Sequence, residues 1–340
     1  MRLSQWAVLV FALLHVGCQQ DSTALAPVDF YRGKVLEIIV PTSPGGGYDR
    51  WARMMAPELS KHTGATVIVR NMPGAGGLLS LNYLYNSARK DGLTIGITTA
   101  VGPYVNQILE SEASRYDLRH FNWLGRFSYD SWALAVGSTF EGQSLESFKT
   151  LPVFKLGTMS KYDMYSIRTV LFTEALQFGN VRLVAGYRGK SDVELAIMRN
   201  EVHAFCVSVL PALDSFQAGL FIPLVVVNDV RVEEIPDVPT IFEFSDMTEK
   251  ARKWLEWELA LEKIGRAVIS PPGVPRQRVE FLHTSLQKSL ESEDFIRSTA
   301  RRNLYVHYLP GEEIQVMVEG VLAMDTQEQQ ELRQMIDRYF

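Results

Sequence analysis

The stretch that most constrains this chain is PTSPGGGYD, residues 41–49. It follows an apolar run at 35–40 that reads as a buried strand, and it precedes helical spacing over 48–62. A strand that passes through a glycine-rich turn into a helix start presents unpaired main-chain N–H groups. Gly45, Gly46 and Gly47 let the backbone approach a ligand with no side chain in the way. The turn is therefore expected to face an anion, with carboxylate and phosphate both open.

A chain of 340 residues has room for two domains of ordinary size. Its formal net charge of −5, with no basic stripe, argues against nucleic acid as the main partner. The N-terminus carries Arg2, an apolar run at 6–14 and then Gly17-Cys18. That is the pattern of an export signal, and the run is too short for a comfortable transmembrane span. Gly17-Cys18 resembles a bacterial lipoprotein processing site with Cys18 as the lipidated residue, although His15 stands where that motif usually has Leu. A plain cleaved signal and an uncleaved anchor are the other readings. Cys206, in an apolar run, is expected to be a small buried hydrophobe.

The expected organisation is a signal over 1–18, a tether over 19–33, a first lobe over 34–130 plus about 245–340, and a second lobe over 131–244. Strand-like runs at 35–40, 67–69 and 94–98 alternate with helix-like runs at 48–62 and 77–88. Strands at 154–157, 181–184, 204–209 and 220–227 alternate with helices at 165–177 and 192–199. This is the βαβ rhythm of parallel sheets covered by helices. After Pro239 the pattern turns helical, at 250–261, 279–290, 293–301 and 312 to about 338, with a short strand at 267–269. The tail is expected to return to the first lobe. The default ligand site is the cleft between the lobes, at the carboxyl ends of the strands.

A second glycine cluster, NMPGAGG at 71–77, also joins a strand to a helix. Two helix entrances in successive βα units can face one site. Competing motifs fail on residue identity. Leu79 stands where a dinucleotide fingerprint needs its last glycine, and Val184 where a P-loop ending in Gly189-Lys190-Ser191 needs its first. There is no G-x-S-x-G elbow, and His15, His62, His120, His203, His283 and His307 are scattered without metal-ligand spacing. No catalytic group, cofactor or metal is expected. Asp49, in the first helical turn, can cap N–H groups, but would repel an anion if it pointed at one. Tyr48 can donate its hydroxyl to a carboxylate.

These residues bring a family into view. PTSPGGGYD with Arg53, VIVRNMPGAGG, DGLTIGITT at 91–99, VAGYRGKSDVELAIMRNEVHAF at 184–205, IPDVPTIFEF at 235–244 and SPPGVPRQRVEFL at 270–282 occur in order. The set resembles the substrate-binding proteins of tripartite tricarboxylate transporters, the Bug family of periplasmic receptors, from Val35 to the C-terminus. The resemblance implies an α/β, two-lobed fold of the type II periplasmic-binding kind, no catalysis, and ligands that are mostly small carboxylates. It implies a first ligand loop of Ser43, Gly45, Gly46, Gly47, Tyr48 and Asp49, lined or supported by Ala75 and Gly76. Thr98 and Thr99 would form the cleft floor. Thr158, Ser160, Lys161, Tyr162 and Ser208 would face them from the second lobe. Tyr48 departs from the family's usual Thr, Met164-Tyr165 replace a frequent His, and the segment at 246–262 is longer and more charged than usual. Lys161 and Arg188 can pair with a second ligand carboxylate or be solvated surface charges.

The expected function is extracytoplasmic capture of a small organic carboxylate and its delivery to the membrane permease subunits of a tripartite transporter. The expected location is the periplasm, with a lipid anchor. Two alternatives stand beside it: a receptor for a membrane signalling sensor, and an enzyme on the same fold.

Overall fold

The computed structural model describes residues 27–140 and 144–340. The signal and lipidation readings at 1–18 lie outside the described residues. The tether expected over 19–33 does not hold for its last part. Pro27–Tyr31 form a short helix, α1, and Tyr31 is fully buried with its hydroxyl donating to the Gly92 carbonyl at 3.0 Å. Its ring stacks on Phe281 at 5.1 Å, so α1 docks on the first lobe.

The first lobe begins with β1 (Val35–Val40), α2 (Gly47–Thr63), β2 (Thr66–Asn71), α3 (Leu78–Asn86) and β3 (Thr94–Thr98). Next come α4 (Gly102–Ile108) and β4 (Asn122–Ser128). β1 pairs in parallel with both β2 and β3, as βαβ connections require. The chain then crosses to the second lobe through β5 (Trp132–Gly137), α5 (Leu145–Lys149), β6 (Phe154–Gly157) and α6 (Met164–Ala175). That lobe continues with β7 (Val181–Val184), α7 (Lys190–Met198), β8 (Ala204–Ser208), α8 (Val209–Gln217) and β9 (Phe221–Val227). Its sheet runs β7-β6-β8-β5-β9.

The return passes along α9 (Glu249–Ile264) into β10 (Arg266–Ser270). β10 joins the first sheet antiparallel between β3 and β4, giving the order β11-β4-β10-β3-β1-β2, with β11 at Leu309–Pro310. Helices α10 (Arg276–Leu290) and α11 (Glu293–Ala300) pack behind α2.

The tail expected as one helix from 312 to about 338 is two: α12 (Gly311–Leu322) and α13 (Thr326–Asp337). The break is written locally, because Asp325 caps α13 in a reciprocal capping box with Glu328. α12 lies on β4 of the first lobe, whereas α13 reaches α6 of the second. The tail therefore bridges the lobes. α9 does the same, packing on both α6 and α12. Cys206 is a free, fully buried thiol, and burial pushes its pKa up to about 12.

Candidate functional site

The two glycine turns meet. A Cβ built on Gly77 would lie 3.2 Å from Thr99 Oγ1 and 3.4 Å from Pro41 Cβ. Pro41 opens the first glycine turn and Thr99 follows β3, so both turns gather at the carboxyl ends of β1 and β3. The Thr99 hydroxyl donates to the Gly76 carbonyl at 3.3 Å and ties the second turn down. Ser43, Gly45, Gly47, Ala75 and Gly76 are exposed and Gly46 is half-buried. The helix starts at Gly46 and Gly77 carry no side-chain cap. Main-chain donors at Gly47 and Tyr48 are therefore available at the start of α2, where an anion is favoured by the helix dipole. At the second entrance the Gly77 amide donates to the Gly74 carbonyl at 3.0 Å and the Leu78 amide to the Ala75 carbonyl, which leaves the amides of Ala75 and Gly76.

Asp49 holds the first turn from beneath. It is 2% exposed, and its Oδ2 accepts from the Gly45 amide at 2.8 Å and from Arg53 Nε at 2.9 Å. Asn71 Nδ2 donates at 2.9 Å to both Asp49 Oδ1 and the Thr42 carbonyl. These contacts, Arg53 foremost, bring the carboxyl down to about 2. Asp49 thus faces its own loop and not the space above it, which removes the repulsion argument.

Thr98 is buried, and its hydroxyl donates to the Thr99 carbonyl at 3.1 Å. In the second lobe, Asp163 caps α6 by accepting from the amides of Tyr165 at 2.8 Å and Ser166 at 2.9 Å, and from the Ser160 amide. Thr158 and Ser160 are knitted to Ser166 through its hydroxyl. This folds residues 158–163 into a hydrogen-bonded loop. A Cβ built on Gly102 of the first lobe would lie 3.8 Å from the Tyr162 carbonyl, so the lobes touch there. Lys161 pairs with Asp337 of α13 at 2.7 Å, and Arg188, its side chain 89% exposed, pairs with Asp192 at 3.0 Å. The structure brings the glycine turns, Thr98 and Thr99 together, and it gives Lys161 and Arg188 partners of their own.

Behind the cradle lies a cluster that was not anticipated. Tyr48 extends from α2 so that its ring lies 5.2 Å from the Arg266 guanidinium. Arg266 pairs with Asp130, and its Nη1 donates to the Ser128 hydroxyl at 3.2 Å. Burial pushes the Asp130 carboxyl up, but the Arg266 guanidinium outweighs it and the carboxyl ends below the usual range. Ser208, at the end of β8, adds its hydroxyl beside Asp130. Arg168 of α6 is buried, bonds both Glu258 and Glu262 of α9, and sits 3.7 Å from the Trp132 ring centre. Glu262 also accepts from the Asp130 amide at 3.2 Å. One network thus spans both lobes and the crossover. Burial raises the phenols of Tyr48, Tyr104 and Tyr165, keeping them neutral donors. The charged segment at 246–262 therefore contributes an interior ion-pair helix. Among the described residues no group of three His, Cys, Asp or Glu side chains is placed to hold a metal, and no helix is long and apolar enough to cross a membrane.

Two sheets, each in its own α/β lobe, with both glycine turns at the carboxyl ends of the first lobe's strands, make up the two-lobed fold of a periplasmic binding protein. The chain belongs to the tripartite tricarboxylate transporter family receptors, whose family model matches residues 51–327. Protein BugT of Bordetella pertussis is 23% identical over 284 residues, covering 81% of this chain and 82% of BugT. A protein from a Pseudomonas species, named for its place between tcbD and tcbE, is 24% identical over 292 residues, covering 85% and 83%. Among solved structures, the periplasmic binding protein BugD superposes with a TM-score of 0.70 at 20% identity, covering 90% of this chain and 98% of BugD. MatC from Rhodopseudomonas palustris, with bound malate, gives 0.65 at 19% identity, covering 90% and 97%.

Proposed function

We propose that this protein is an extracytoplasmic receptor that closes its two lobes on a small organic carboxylate and hands it to membrane permease subunits. The observation that carries this reading is the convergence of two uncapped glycine turns around Pro41 and Thr99. The relatives support it: MatC was solved with malate and another R. palustris protein with adipate, the latter at a TM-score of 0.69. One ligand carboxylate is held by amides of residues 47–48 and 75–76, with Tyr48 as a wall. Thr98 and Thr99 floor the cleft, and the loop bearing Thr158, Ser160 and Tyr162 closes from the second lobe together with Ser208. No covalent chemistry takes place. Closure is driven by the ligand's preference for the closed state. The place in the periplasm and the delivery to a permease are proposed on family membership and not on the site.

The test is a thermal-shift screen of organic acids against neutral sugars. A bound acid stabilises the fold by about 2.7 kcal/mol at a hundredfold excess over its dissociation constant. A response to sugars with none to any acid overturns the carboxylate assignment.

A further inference from the structure

Tyr48 connects the first glycine turn to the interior of the cleft. Its amide is one of those offered at the start of α2, and its ring lies 5.2 Å from the Arg266 guanidinium. The sheet register brings Arg266 to the same end as the turns. Its neighbour Ala267 pairs with Thr98, and Arg266 itself pairs with Ser128 at the end of β4. The Tyr48 hydroxyl stands beside the Ala100 main chain, just past Thr98 and Thr99, and in the field of Arg266, Asp130 and Arg168. Tyr165, one turn before Arg168 on α6, lies in its field as well. The side chain is half-buried and packs on the apolar core of the first lobe. It therefore starts at the turn, crosses the floor at the ends of β3 and β10, and ends against the crossover and the second lobe.

The region past the ring is rich in unbonded donors. Arg168 Nη1, Arg266 Nε, Trp132 Nε1 and the Tyr104 hydroxyl are buried and make no hydrogen bond within the protein, against Glu258 Oε2 as an unbonded acceptor. Buried groups of this kind are normally satisfied, and a carboxylate that reached them would do so. The Tyr48 ring stands between Arg266 and the amide of the same tyrosine at the turn.

Resting on the receptor reading above, we propose that the Tyr48 side chain is the inner end-stop of the cleft. A carboxylate held at the start of α2 lies on the near side of the ring, and the ring limits how far the rest of the ligand runs inward. Tyr48 is thus the specificity residue for ligand length, and the donors of Arg168 and Arg266 lie beyond it. The stop is steric, so the ring provides it and the hydroxyl does not.

The experiment is calorimetric titration of the full chain at pH 7 with straight-chain monoacids from acetate to octanoate and diacids from succinate to suberate. Wild type, Tyr48→Phe and Tyr48→Ala are compared. Wild-type affinity should peak at a short chain and fall about tenfold beyond it, as overfilling of a packed space requires. Tyr48→Phe should keep that peak. Tyr48→Ala should move it to longer chains, each methylene taken into the vacated space adding about fourfold. In Tyr48→Ala the diacids should gain more than monoacids of equal length, because the uncovered groups are mainly donors. A peak at the same length in wild type and Tyr48→Ala overturns the end-stop, and so does a shift in Tyr48→Phe as large as in Tyr48→Ala. Diacids that gain no more than monoacids overturn the placing of the donors beyond the ring. Each of these results leaves the receptor reading standing, whereas no heat from any acid, together with binding of a neutral sugar, overturns both. Where Tyr48→Ala does not fold, the wild-type series decides: affinity that shows no fall at greater length overturns the end-stop.

Discussion

The Gly45 amide donates to Asp49 Oδ2 at 2.8 Å, so the acidic residue of the ligand loop serves the loop itself. With Arg53 and Asn71 on the same carboxylate, the first glycine turn is set before any ligand arrives. A preset turn costs less ordering on binding.

Replacing Asp49 with Ala should lower stability by about 1–3 kcal/mol, because buried donors lose their acceptor. Urea unfolding measures this, and ligand affinity should fall with it as the turn loosens. An affinity that is unchanged in a destabilised Asp49→Ala protein would separate the turn from binding.

The same carboxylate predicts a pH signature. Its folded pKa is about 2, against an ordinary 3.8. A depressed carboxylate contributes stability that is complete above its unfolded pKa and is lost as pH falls through the folded value. The stability gap between the wild type and Asp49→Asn should therefore be constant above about pH 4 and shrink toward pH 2. Urea midpoints measured from pH 2 to 6 check it; a gap that widens on acidification contradicts it.

The buried network makes a larger prediction. Arg168→Met leaves Glu258 and Glu262 without their cation and should cost about 3–5 kcal/mol. Converting all three, with Glu258→Leu and Glu262→Leu, should recover much of that loss, since an apolar replacement of a buried ion cluster is often neutral or stabilising. Chemical denaturation of the single and triple variants measures both changes, and a triple variant no more stable than Arg168→Met contradicts the expectation.

Most of the sheet framework was legible because its strands are short apolar runs punctuated by Gly and Pro, as at 35–40 and 94–98. The two glycine turns were legible for the same local reason. What was not legible depends on distance along the chain. Arg168 bonds partners 90 and 94 residues away, and each member alone reads as an ordinary helix charge. A trace was present: Glu258 and Glu262 follow Trp254 at helical spacing, so two carboxylates share the apolar face with Leu261. Arg168 likewise interrupts an otherwise uncharged stretch, SIRTVLFT at 166–173. Helix α1 escaped notice because five residues are too few for a period to show, and Tyr31 anchors it by a contact to Gly92 far along the chain.

Lys161 provides a test of lobe bridging. Its ammonium pairs with Asp337 at 2.7 Å, both side chains being partly exposed. A double-mutant cycle with Lys161→Ala and Asp337→Ala should give a coupling of about 0.2–1 kcal/mol. Ligand affinity of Lys161→Ala should change less than about twofold, as expected of an exposed pair worth so little. A tenfold loss would instead restore Lys161 to the ligand shell.

Two glycines separate folding from binding. Gly77 has φ +101° and its added Cβ would press on Thr99 and Pro41, so Gly77→Ala is strained in backbone and in space. It should cost about 1–3 kcal/mol. Gly47, the first residue of α2, has nothing within 4 Å of a built Cβ and no positive φ. Gly47→Ala should hold stability or raise it by about 0.4–1 kcal/mol, because the unfolded chain loses freedom. Its methyl group, however, would stand among the amides offered to the ligand. The expected result is therefore an unchanged or raised Tm with carboxylate affinity at least tenfold weaker. Should Gly47→Ala bind the ligand as well as the wild type, the amides of the first turn are not where the carboxylate sits.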